Sequence, residues 1–153
     1  MRGYFGDDGA VTTRLPGAPA GSEPGMRSVL KEATMSRPEN NDWTETFPGV
    51  RHRWQVTPEL GAGAVTMGTV AIAPGKEIPP HTHPVEDAMV ITQGHGQFLA
   101  GDDVHQIEAG SSCLAPANVV HGVRNTGDEE LVLVFTWPAV NVRRVMADVQ
   151  RET

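Results

Sequence analysis

Apolar residues between positions 50 and 137 come in short runs, each cut off by Gly, Pro or Asp. Residues 50–56 alternate, with Val50, His52, Trp54 and Val56 on one face, the period of a strand. Residues 64–73 read as a second strand, whose Gly68 suits close packing or a bend. Further strands are expected over 87–93, 97–100 and 104–107, with a hairpin turn at Gly94-His95-Gly96 and another turn over 101–103. Residues 131–137 are apolar on both faces, as in a strand between a core and a second layer. Seventeen glycines and twelve prolines in 153 residues favour turns over long helices. Short strands at this spacing close into an antiparallel barrel or a double-sheet jelly roll. The fold class expected is therefore all-β.

The flanks differ from this middle. Residues 15–25 are rich in Pro, Gly and Ala and cannot build a core. Residues 1–42 are read as a flexible N-terminal arm, or as an arm packing on a partner subunit, with a weak helical turn or two over 26–35. Met26 and Met35 are alternative starts. Residues 43–140 form the barrel. In 141–153, Val142, Val145, Met146 and Val149 recur at helical spacing. That tail is expected to hold a short helix, with a strand over 140–142 as the alternative.

A net charge of −7 argues against nucleic acid, since phosphate binding needs a basic surface. The single cysteine, Cys113, rules out an internal disulfide. The sequence carries no apolar run of membrane-spanning length and no secretory pattern, so a cytoplasmic protein is the default.

The chemistry concentrates in residues 75–87. His81, His83 and Asp87 share parity, so on a regular strand two imidazoles and a carboxylate share one face. Glu86 has the opposite parity, but a bulge at Pro84 would exchange it for Asp87. A second stretch, 110–125, opens its last strand with His121. Imidazoles and a carboxylate suit one divalent transition metal: Fe, Mn, Ni, Cu or Zn.

Both stretches resemble the paired motifs of the cupin superfamily. The first family motif is matched by Gly75, His81, His83, Asp87 and Gly94, and the second by Gly110, Pro116, Asn118, His121 and Asn125. The family usually has Glu at the position of Asp87 and Gly at that of Asn118. Asn tolerates the left-handed turn conformation. Asp is one methylene shorter than Glu, which leaves open direct ligation, ligation through water, or a three-histidine site. The resemblance covers residues 60–138 and implies a cupin double-stranded β-helix. It also implies His81, His83, Asp87 and His121 as metal ligands, and a homodimer paired through a sheet and an N-terminal arm.

Met89 and Ile91 share parity with Asp87, and with Phe98, Phe135 and Trp137 they are expected to wall a largely apolar substrate pocket. Asp87 and His52 are the candidate catalytic groups. Arg124 should face away from the metal, and His95 and His105 should face solvent. This wall suits a small, partly apolar substrate that chelates the metal through oxygen. The function expected is a dioxygenase-type oxidoreductase, which needs no separate base and slightly favours Fe; the alternatives are a non-redox lyase, isomerase, decarboxylase or cyclase, and then a binding module without catalysis. Resemblance alone does not choose among them.

Overall fold

The structure is a computed structural model that describes residues 34–147. Its strands are β1 (Thr44–Phe47), β2 (Val50–Val56), β3 (Thr66–Ile72), β4 (Glu77–Thr82), β5 (Asp87–Gln93) and β6 (His95–Ala100). They continue with β7 (Asp103–Glu108), β8 (Ser112–Ala115), β9 (His121–Asn125), β10 (Leu131–Trp137) and β11 (Val145–Met146). One sheet runs β1-β2-β3-β10-β5-β8 and the other β11-β4-β9-β6-β7. All strand pairs are antiparallel.

The alternation read from the sequence sets the core. On β10, Leu131, Leu133, Phe135 and Trp137 are buried, and the residues between them are half-buried. They meet Val50, Val70, Ile72, Met89, Ile91, Phe98, Ile107 and Val123 in one cluster. Full burial of each such side chain is worth about 1.5–3 kcal/mol, so this cluster is the main source of stability. Gly68 allows close packing. A Cβ there would lie 2.8 Å from the Phe135 ring and 2.6 Å from the Arg53 carbonyl oxygen. Gly68→Val should therefore push β2 or Phe135 aside and cost about 1–3 kcal/mol, read as a lower denaturation midpoint. Gly61→Ala, where a Cβ would meet nothing within 4 Å, should cost less despite a left-handed φ of 100°.

Several expectations change. Residues 87–93 do not continue the strand that carries His81. The chain leaves β4 after Thr82, bends through Pro84, and enters the opposite sheet at Asp87. Pro84 cannot extend a hydrogen-bonded ladder, and the bend is where it falls. Nor is 94–96 a hairpin turn, because β5 and β6 belong to different sheets. Gly94 is a corner between them, with a φ of 77° and its Cα hydrogen facing the Glu130 carbonyl.

Among the described C-terminal residues there is no helix. Val145 and Met146 pair with Thr82 and His81 instead, and 140–142 is not a strand. The available edge of β4 outweighs the helical spacing of a few valines. The arm is also tied down from Thr34 onward. Thr34 donates to the Leu60 carbonyl at 3.0 Å, a 3-10 turn spans Pro38–Asn40, and Asn41 donates to the Trp54 carbonyl. The expectations for residues 1–33 and 148–153 lie outside the described residues.

Candidate metal centre

Four residues from the two motif stretches converge at one mouth of the barrel. His81 lies on β4, His83 in the bend after it, Asp87 at the start of β5 and His121 at the start of β9. The register places His81 directly opposite His121. Asn118 stitches the two stretches together. Its left-handed φ of 62° makes the turn before β9, and its amide donates to the His83 carbonyl at 2.7 Å.

All four are buried, and their ligand atoms lie within 4.8 Å of one another. The His81 and His83 Nε2 atoms are 3.2 Å apart. One Asp87 oxygen lies 3.6 Å from His83 Nε2 and 3.5 Å from His121 Nε2. Aspartate therefore reaches the cluster despite its missing methylene. Glu86 is exposed, which makes Asp87 the carboxylate of the site.

Each imidazole is oriented by its other nitrogen. His81 Nδ1 lies 2.7 Å from the Pro79 carbonyl, His121 Nδ1 2.9 Å from that of Val119, and His83 Nδ1 3.3 Å from that of Arg143. A carbonyl only accepts, so Nδ1 carries the proton and Nε2 offers its lone pair inward. Burial, opposed by the bond to Pro79, lowers the His81 pKa to about 3, and burial likewise lowers that of His83. Neutral imidazoles are what a metal requires.

Two inward lone pairs 3.2 Å apart cannot hydrogen-bond to each other. The His121 Nε2 and the second Asp87 oxygen are buried with no hydrogen-bond partner. A cation relieves both conditions. Nitrogens bound about 2.0–2.1 Å from one ion lie roughly 3.0–3.4 Å apart, so the His81–His83 spacing fits. The donor set fits a divalent transition metal without fixing which one.

Beside the cluster is a cavity lined by Met89, Phe135, Trp137, His52 and Arg144. Its free space is about 20 Å³, room for roughly one water. Met89, Phe135 and Trp137 stand where the sequence put them. Ile91 and Phe98 do not line it. Ile91 is two residues further along β5, about 7 Å deeper in the packed core. Phe98 is buried and borders an outer groove with His105.

His52 is buried at the cavity wall, where its Nδ1 lies 2.6 Å from the Thr46 hydroxyl and its ring stacks on Trp54. Burial, with the nearby Arg144 charge, lowers its pKa to about 4. It is therefore neutral at pH 7. Arg124, His95 and His105 are exposed. Sequence reasoning missed Arg144, which follows the Arg143 that anchors His83. The only local hint is Asn141, a turn residue with a φ of 56°, which interrupts the helical reading.

A two-sheet β-barrel with three histidines and a carboxylate at one mouth is the architecture of a double-stranded β-helix protein. Residues 68–137 match the family described as Cupin domain. It is 38% identical over 76 residues to Protein SchB of Streptomyces halstedii, covering 49% of this chain and 55% of that one. It is 30% identical over 107 residues to Auxin-binding protein 1 of Arabidopsis thaliana, covering 62% and 54%. The chain thus spans about half the length of these curated relatives. The solved structure of the polyketide cyclase RemF from Streptomyces resistomycificus superposes with a TM-score of 0.67 at 15% identity. That match covers 78% of this chain and 89% of RemF, and it supports the fold.

Proposed function

We propose that this protein is a metal-dependent cupin enzyme of the non-redox type. Its substrate is a small, partly apolar molecule that chelates the metal through oxygen. One observation carries the reading: three buried imidazoles and Asp87 converge, with two buried ligand atoms unpartnered, beside a wall of Met89, Phe135 and Trp137. His81, His83, His121 and Asp87 would hold the ion. A bound divalent ion supplies Lewis acidity, polarising a carbonyl and favouring its enolate.

The chain's own residues supply the rest. Met89, Phe135 and Trp137 exclude water from the bound molecule and strengthen polar interactions beside them. His52, held by Thr46 and stacked on Trp54, presents a neutral imidazole that can exchange a hydrogen bond with an oxygen of the substrate. The name of RemF, a polyketide cyclase, supports ring closure within this class.

The dioxygenase-type reading stands second, because this donor set also suits Fe. Metal content of the isolated protein comes first in the test. Turnover of β-diketones, hydroxy acids, catechols and thiols is then followed with and without oxygen. Turnover that continues under nitrogen, with Mn, Ni or Zn bound, is expected. Iron with substrate-dependent oxygen uptake would move the assignment to the dioxygenase class. Tight binding with no turnover in either atmosphere would make the chain a binding module, the class suggested by the name of Auxin-binding protein 1.

A further inference from the structure

One wall of the cavity is charged, and the ligand set does not use it. Arg144 lines the space from the residue before β11. Its guanidinium carbon lies 5.2 Å from the centre of the Phe47 ring. Its Nε is buried without a hydrogen-bond partner, and the side chain has no ion-pair partner among the described residues. The backbone around it is fixed: the Arg143 carbonyl faces His83 Nδ1, and the Ala147 amide donates to the Pro80 carbonyl at 2.9 Å. A well-placed cation is thus left with free donors beside the imidazoles.

Charge balance says what should meet those donors. Among the described residues, Asp87 is the only acidic one lining the cavity, and Arg144 the only arginine or lysine. A divalent ion would raise the net charge of this enclosed space to about +2. Buried charge is costly unless paired. The hydrogen-bond fork of arginine matches a carboxylate or an enolate oxygen.

We infer that Arg144 is the anion-binding residue of this site, and that the molecule bound beside the metal carries a carboxylate or enolate oxygen. This rests on the metal-dependent reading above and narrows its substrate class. Because the free space holds about one water, such a ligand has to displace part of the wall. The Arg144 side chain, near Phe47 and without an ion-pair partner among the described residues, is the cationic part of that wall.

Malonate and its neutral analogue malonamide are the probes. Both are titrated by calorimetry into wild-type protein, Arg144→Gln and Arg144→Lys, each metal-free and zinc-loaded, with zinc content and circular dichroism measured alongside. Wild-type protein should bind malonate at least about tenfold more tightly than malonamide, as expected for a charge-assisted pair. Arg144→Gln should lose that preference while keeping its zinc, and Arg144→Lys should retain part of it. Equal malonate affinity in wild type and Arg144→Gln overturns the inference, as does a wild type that does not distinguish the probes. Zinc loss in Arg144→Gln also overturns it, making the arginine a positioning residue for Asp87. If wild-type protein holds no zinc but its malonate preference still depends on Arg144, the metal reading fails and the anion site stands.

Discussion

His121→Ala should lose most of its bound metal on mild dialysis, whereas His105→Ala should keep it. Both replace a histidine, but only His121 brings a buried, unpartnered Nε2 to the cluster. His105 is exposed and borders a different groove. Changing even a group that merely orients a metal ligand typically costs 10–100-fold in affinity, so deleting a ligand should cost more than about 100-fold. Metal content per chain after dialysis is the measurement, with the melting-temperature rise on adding Mn(II), Ni(II) or Zn(II) as a second readout. Equal retention in the two variants would remove His121 from the site.

Asn125→Ala should be the most damaging single change outside the core, costing about 3 kcal/mol and lowering the melting temperature by roughly 10 °C. Asn125 is fully buried. Its amide nitrogen donates to the Ile72 carbonyl at 2.8 Å and the Glu129 carbonyl at 2.7 Å, and its oxygen accepts from the Gly127 amide at 2.9 Å. Alanine leaves all three backbone groups without that partner, and a buried group so orphaned costs about 1–3 kcal/mol. By contrast, Gln106→Ala, at an exposed position on β7, should shift stability by less than about 0.5 kcal/mol. Thermal denaturation of the two variants compares them directly, and a loss under about 1 kcal/mol for Asn125→Ala would mean water replaces its bonds.

The barrel was legible because its turn residues are local. Gly and Pro end a strand wherever they fall, and alternation along 131–137 names the buried residues without knowledge of their partners. The four residues of the candidate site were legible for a similar reason, being concentrated in two short stretches. Parity grouped Asp87 with the histidines, and the structure does bring it to the cluster, but by another route. A continuous strand was assumed, whereas the chain bends at Pro84 and delivers Asp87 from the other sheet. The same blindness to sheet membership made Gly94 a hairpin turn when it is a corner between sheets. Same-face parity also placed Ile91 with Met89, although a strand runs past a cavity and only its nearer residues touch it.

Arg144 was out of reach for a different reason. Its place in the cavity depends on β11 finding the edge of β4, a pairing that joins positions more than sixty residues apart. No local period encodes that.

The bend at Pro84 has a thermodynamic consequence. Three of the four candidate ligands belong to β4, the bend that follows it and β9, while Asp87 belongs to the facing sheet. An ion held by all four would fasten the two sheets together at that mouth. The energy of holding the ion and the energy of keeping the barrel closed there then become one quantity. Stability rises with free metal as RT ln(1 + [M]/Kd), about 2.7 kcal/mol at one hundred times Kd. Replacing Asp87 would consequently weaken the fold chiefly when metal is present. A screen of such variants in chelator would miss the linkage altogether.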